Sequence, residues 1–441
     1  MAPYMPHELE ELILQHLRND NTALRETSLA CYRFAVVSQK LLFSSIRIDL
    51  TLGRSPEVFP NFLKAAPHIA NAVRGIDVVA DSYRLQTLDT SLIPCLSLVA
   101  NLQHLSIDTN STRPIYWRYL SPVMRSSLCD IARSNRLVTL RLRRVFEIPL
   151  SLIAECSNLE ALSLCSIAFQ QDDIQRILNG GWSLCPSKAA PKLRTLQLSI
   201  SDEAFRVLLN FLIGSNALFD ITTLTELSIS IFNPRFDYAN VNIILQAVGG
   251  SLEIFCFSPM IADFPGIHSR GERFSALRLH PLPRLRIFRL RLVADSAYKI
   301  KTTYSLFKNC ASKILSQFGP DHRVEEISVK TSISLELQGG AFVTAAAPWL
   351  VVDASLSKVV TLRRMTLIIF QSDPKRPQAM SRIENAFPKL SEAGISLGVQ
   401  AAKSQSGFLE NGNDTDFLMD AFRRHNTTRN LGFHTDYSSS T

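Results

Sequence analysis

The sequence predicts an α/β fold: a small helical head followed by a long solenoid of strand-plus-helix units. Parallel strands are expected along the concave face and helices along the convex face. Three observations carry this prediction. An apolar triplet, spaced apolar, two residues, apolar, one residue, apolar, returns along most of the chain. Stretches with helical spacing separate the triplets. Residues 1–45 instead carry the apolar spacing of packed helices.

The triplets run Phe43/Ile46/Ile48, Val73/Ile76/Val78, Leu102/Leu105/Ile107, Leu137/Leu140/Leu142, Leu159/Leu162/Leu164 and Leu193/Leu196/Leu198. They continue as Leu224/Leu227/Ile229, Leu252/Phe255/Phe257, Leu285/Phe288/Leu290, Val324/Ile327/Val329 and Leu362/Met365/Leu367, with a weak last member expected at Leu390/Ala393/Ile395. Their central positions from Ile46 to Met365 are 22 to 39 residues apart. A train of triplets at such a step marks a repeat architecture. Alternation within each triplet is the period of a half-buried strand. Between them, "DEAFRVLLNFL" places Phe205, Leu208, Leu209 and Leu212 on one helical face, with Asp202 and Glu203 where the helix dipole favours negative charge. Neither a lone strand nor a lone helix buries its apolar face, but stacked units share one core.

In the head, Pro6 suits the first helical position and acidic residues follow it. Leu9, Leu12, Ile13, His16 and Leu17 make a broad apolar face. "RNDN", residues 18–21, ends this helix and offers Asp20 or Asn21 as the next cap. One further helix or a pair carries Leu24, Cys31, Phe34, Ala35, Leu41 and Leu42. A piece of this length buries too little to offset its chain entropy. Either it packs on the first repeat or it buries an outer face in another protein. The expected organisation is a head over 1–45, a solenoid over 46–400, and a cap or loosely held tail over 401–441.

Bulk composition bounds the function. The chain has 441 residues, 46% hydrophobic and 20% charged, with a formal net charge of +8. That is a globular balance with a mild basic excess. The acidic, apolar-poor start reads as no secretory signal. "FVTAAAPWLVVDASL" is interrupted by Pro348 and Asp353 and is too short to span a bilayer. Eight scattered cysteines without a CxxC read as reduced thiols, and the expected compartment is cytoplasmic or nuclear. No P-loop, GxGxxG, GxSxG or HExxH occurs, so no enzyme, cofactor or metal site is expected.

The triplets resemble the LxxLxL core of leucine-rich repeats over roughly residues 70 to 400. They depart from it where an Asn usually follows: only Asn110 holds that place, and Val145, Ile167, Ser201 or Phe232 holds it elsewhere. The expected solenoid is therefore irregular. The opening stretch resembles an F-box. Met5-Pro6 stands for that family's Leu-Pro, and "SLACYRF", residues 28–34, for its later Val-Cys-Arg-x-Trp-like segment, with Phe34 replacing Trp. The run is similar to the F-box-like heads of fungal leucine-rich-repeat proteins. The resemblance implies a substrate-recognition subunit of an SCF-type ubiquitin ligase, with a Skp-family adaptor as partner and, through it, a cullin. The implied adaptor-facing residues are Met5, Pro6, Leu9, Ile13, Leu17, Leu29, Ala30, Cys31 and Phe34. The alternatives are a repeat scaffold without ligase function, and an enzyme or nucleic-acid binder.

The residues between the apolar triplet positions point to the other face of each strand. That face is polar, and hydroxyl and small residues dominate its middle. It suits recognition of a protein target. Arg141, Arg143, Arg289 and Arg291 are candidates for holding an acidic or phosphorylated segment, because guanidinium pairs with such groups in a bidentate way. Alternatively they are solvated strand residues balanced by local acids.

Overall fold

The computed structural model describes residues 6–50 except 19, 58–80, 85–109, 114–178, 190–213, 217–231, 238–261, 277–279, 282–294, 310–331, 346–371, 385 and 387–403. Met5 and residues 404–441 of the expected tail lie outside them, while residues 401–403 belong to the last strand. The chain divides into two compact units, with the break between Leu159 and Glu160.

The first unit opens with three helices: α1 (His7–His16), α2 (Asn21–Ala30) and α3 (Tyr32–Leu42). Pro6 stands at the N-cap of α1, one place before the expected first helical position, and its carbonyl accepts from the Leu9 and Glu10 amides. Asp20 is the cap of α2: its carboxylate accepts from the Ala23 amide at 2.9 Å. Leu14, Leu24, Val37 and Leu42 form the head's core, with Leu17, Phe34, Leu41 and Phe43 packed against them. The Thr27 and Ser38 hydroxyls meet at 3.1 Å beside this core.

Then come β1 (Ser45–Asp49), α4 (Val58–Ala65), α5 (Pro67–Ala72), β2 (Gly75–Ala80), α6 (Leu85–Leu98) and β3 (His104–Thr109). They are followed by β4 (Ile115–Tyr116), α7 (Pro122–Arg133), β5 (Thr139–Arg143), β6 (Val145–Phe146) and α8 (Leu150–Ala154). Strands β1, β2, β3 and β5 pair in parallel and in chain order. The register aligns the triplets, so that Ile46, Ile76, Leu105 and Leu140 lie on one rung. The Phe43 ring meets Phe62 of α4 at 5.6 Å, so the head packs on the first repeat.

The second unit comprises β7 (Ala161–Cys165), α9 (Gln171–Leu178), β8 (Thr195–Ser199), α10 (Asp202–Ile213), β9 (Glu226–Ile231), α11 (Tyr238–Val248) and β10 (Ile254–Ile261). After these come β11 (Ile287–Ala294), β12 (Glu326–Thr331), α12 (Ala346–Leu356), β13 (Arg364–Gln371), α13 (Pro388–Glu392) and β14 (Ser396–Lys403). Here too the strands pair in parallel and in chain order, from β7 to β14. Leu162, Leu196, Leu227, Phe255, Phe288, Ile327 and Met365 are each fully buried, the shared interior that repeat stacking predicts.

The last triplet is corrected. Leu390 lies in α13, and the strand after it places Leu397 and Val399 opposite Met365 and Leu367. Gly394, at φ +73, turns the chain between them and leaves the first triplet position without a side chain.

The missing Asn has a structural counterpart. Val145 and Ile167 occupy its place as buried aliphatic side chains. Each follows a residue in the left-handed region, Arg144 at φ 54 and Ser166 at φ 51, so the turn is made by backbone geometry. At the opposite end of the strands, one carbonyl per repeat accepts two successive amides of the next. Arg74 accepts from Gln103 and His104, Glu160 from Arg194 and Thr195, and Arg286 from Glu325 and Glu326. Thr225 and Glu253 repeat the arrangement. This backbone ladder satisfies strand-entry amides without any particular side chain.

Candidate functional site

In the head, α1 turns Glu10, Leu14 and Leu17 inward. Glu10 is buried and pairs with Arg33 at 3.4 Å. Leu9, Leu12 and Ile13 face outward, each about half exposed at 49 to 53%. Leu29 is 87% exposed at the end of α2, and Pro6, Ala30 and Cys31 are also exposed. Of the adaptor-facing candidates, Pro6, Leu9, Ile13, Leu29, Ala30 and Cys31 therefore lie on the surface. Leu17 and Phe34 are partly buried and pack against the head's own core. Met5 lies outside the described residues. Leu14, the centre of the inward row, is a core residue that the apolar spacing alone does not single out.

The strand face of the first unit is a charged, self-paired surface. Arg47, Asp77, Ser106 and Arg141 share one rung. Arg143 is buried and donates to the Asp108 carboxylate at 3.1 Å. Burial raises the Asp108 pKa, and Arg143 and Arg141 oppose the rise. His104, at the start of β3, is pushed down to about 4 by burial, then by the charges of Arg18 and Arg74. At neutral pH it is an uncharged imidazole. Arg143 is thus held by a local acid, and it is buried rather than solvated.

In the second unit the strand face is more closely packed than a solvated surface. Ser163, Gln197, Ser199, Glu226, Ser228, Ser328 and Lys330 are all buried. In-register neighbours stand about 4.8 Å apart on either side of each short side chain and shield it. The Ser163 hydroxyl donates to Gln197 at 2.8 Å. Arg289 and Arg291 project from β11 on this face, both half-buried, with Lys330 in register beside Arg291. Arg141 and Arg143 belong to one unit and Arg289 and Arg291 to the other. The described residues hold each pair in its own local setting.

No protein-family model matches this chain. No curated protein matches it either. Among solved structures, the chain is similar to an internalin (inlF) from Listeria monocytogenes, 11% identical, covering 80% of this chain and 91% of that one, with a TM-score of 0.30. The solenoid-type stacking of each unit therefore stands on its own strand register.

Seven cysteines among the described residues are free thiols, with Cys31 exposed, Cys129 half-buried and the others buried. Burial pushes Cys95, Cys156 and Cys256 up to about 12, which makes them poor nucleophiles. No group of His, Cys, Asp or Glu side chains among the described residues is placed to hold a metal ion. No described helix is long and apolar enough to cross a membrane.

One surface cluster escapes the sequence reading. Tyr116 packs edge-on against both Tyr119 and Phe146, at 5.6 Å in each case. The Arg118 guanidinium lies over the Tyr116 and Tyr119 rings and pairs with Glu147 at 3.1 Å. The dense aromatic run "IYWRY", residues 115–119, is the signal that marks it.

Proposed function

We propose that this chain is a protein-interaction scaffold of the leucine-rich-repeat type, presenting its strand faces to protein partners. The observation that carries the reading is the register. Parallel strands hold polar residues in register on most rungs, with Ile254 and Ile287 among them, on a frame whose other face is an apolar core. A frame of this kind fixes many side chains at low entropy cost, which favours extended protein surfaces. The test is co-purification of the full chain after mild crosslinking, beside a Ser230→Arg/Thr366→Arg variant altered at two half-buried face positions. A reproducible set of partners, lost in the variant while the melting temperature holds, is expected. A chain that captures nothing, or captures the same set after the change, fails the reading.

A second reading is favoured by one observation in the head. Leu9, Leu12 and Ile13 form an exposed apolar row on α1, and Leu29 stands fully out at the end of α2. Single exposed leucines are ordinary, but a row on a short bundle fits a docking helix. In this reading the row binds a Skp-family adaptor of an SCF-type ubiquitin ligase, and a cullin through it. The chain would contribute proximity and orientation of a target, with no catalytic group of its own. Leu9→Asp combined with Ile13→Asp leaves the inward row intact. It should abolish capture of the adaptor while the head stays folded. Capture that is absent in the parent chain, or unchanged in the variant, rejects the ligase role and leaves the scaffold.

A further inference from the structure

Three aromatic rings, a carboxylate and an arginine meet on the surface of the first unit. There β4 and β6 pair in parallel as a separate two-stranded sheet, with Ile115 in register with Val145 and Tyr116 with Phe146. Ile115, Trp117 and Val145 are buried and fix this frame to the core. On it the Tyr116 ring stands at 66° to Tyr119 and at 79° to Phe146. Edge-on packing of this kind leaves ring faces, the negative side of the π system, to meet a cation.

One cation already does so. The Arg118 guanidinium carbon lies 5.4 Å from the Tyr116 centroid and 4.9 Å from that of Tyr119, and Arg118 pairs with Glu147 at 3.1 Å. A further contact, from Arg118 to the Tyr119 hydroxyl, is long at 3.3 Å. The chain's own side chain thus displays what the cluster takes: a positive group over two rings, beside one carboxylate. Arg118 is held at the surface, its side chain 58% exposed, where ion pairs and cation–π contacts contribute little. Tyr119 stays 60% exposed with Arg118 over it, so another molecule can reach the cluster.

We propose that Tyr116, Tyr119 and Glu147 bind a dimethylated lysine of a partner protein, which takes the place of Arg118 over the rings. Charge complementarity selects a cation, because the cluster offers two π faces and one carboxylate. The kind of cation follows from its hydration. An unmodified lysine ammonium is strongly hydrated and carries three N–H donors, more than one carboxylate beside ring faces can satisfy. A dimethylammonium keeps the charge, keeps one N–H for Glu147, and turns its methyl groups to the rings. The resident guanidinium, itself weakly hydrated, fits the same preference. The cluster belongs to its own small sheet, so the proposal does not rest on the strand faces being the interaction surface.

The test uses the full chain and three immobilised peptide pools with degenerate flanks, centred on dimethyllysine, lysine or norleucine. Retention by the dimethyllysine pool should exceed that by each of the others by at least about threefold. Arg118→Ala, which vacates the rings, should raise that retention further. Added to Arg118→Ala, either Tyr119→Ala or Glu147→Gln should bring it down to the level of the lysine pool. Tyr119→Phe in the same background keeps the ring and should keep the retention, and thermal melts identify any variant that fails to fold. The comparison of pools on the parent chain stands whatever the variants do. Retention by the lysine or norleucine pool equal to that by the dimethyllysine pool overturns the proposal. So does a fall in retention on Arg118→Ala in a folded protein, or retention that survives Tyr119→Ala. Strand-face partners that still co-purify when the dimethyllysine pool is not retained would reject this site and leave the scaffold.

Discussion

His104 shows how a single side chain feels the stack around it. It begins β3, and burial with the Arg18 and Arg74 charges brings its pKa from 6.5 to about 4. Between those values the unfolded chain binds a proton that the folded chain does not, so stability falls as the pH drops from about 6.5 towards 4. At pH 4 the loss is about 3 kcal/mol. Asp108, with its pKa raised by burial, works in the opposite direction on acidification. Denaturant melts of the parent and His104→Gln across this range isolate the histidine: the parent should lose stability more steeply, and parallel curves would contradict the assignment. In the head, Leu14 is 1% exposed and Leu12 53%. Leu14→Ala should cost about 2–5 kcal/mol, and Leu12→Ala within about 0.5 kcal/mol, by the same melts. Spacing alone puts Leu12 on the apolar helix face and does not single out Leu14. Which row turns inward depends on where α2 and α3 lie, and Glu10 joins the inward row because Arg33 is there to receive it.

Individual elements depend on a few polar anchors that no local pattern announces. Asp353, fully buried in α12, accepts from the Lys389 amide at 3.0 Å and the Leu390 amide at 2.9 Å, and so holds the start of α13. The partners are 36 and 37 residues apart. Asp353→Ala leaves two amides of α13 without their acceptor. It should cost about 1–3 kcal/mol and speed hydrogen exchange across β14 before β8 or β9. Uniform acceleration of exchange would argue against a local anchor. The strand-entry ladder is equally invisible in composition. It uses main-chain carbonyls of Arg74, Glu160, Thr225, Glu253 and Arg286, so any side chain serves. Above it, exposed side chains of opposite sign alternate where Arg286 grips Glu325 with two nitrogens, at 3.1 and 3.0 Å. Surface pairs of this kind add little stability, but they disfavour a slipped register.

Each unit as a whole draws its stability from neighbours in chain order. Phe288 packs against Phe255 at 5.8 Å and Phe318 at 5.0 Å, joining three successive repeats of the second unit. Phe288→Ala should cost about 3–5 kcal/mol. Because stacked repeats communicate mainly with adjacent ones, the loosening should be greatest in β10, β11 and β12 and fade towards β7. Hydrogen exchange resolved by strand checks this, and equal loosening from β7 to β14 would contradict it. The same organisation bears on function. Side chains on neighbouring strands act together, as Arg143 on β5 and Asp108 on β3 do.

Triplet spacing by itself determined the parallel strands and their order, because an apolar residue at a fixed step buries only when it meets its counterpart in the next repeat. Helical spacing marked the head as helical for the same local reason, while the structure chose Asp20 over Asn21 as the second cap. Tertiary structure alone decided which face of α1 is core, that Arg143 meets Asp108, and how tightly the polar face closes. Those outcomes depend on register and distance between residues some 30 positions apart in the chain, and no local spacing encodes them.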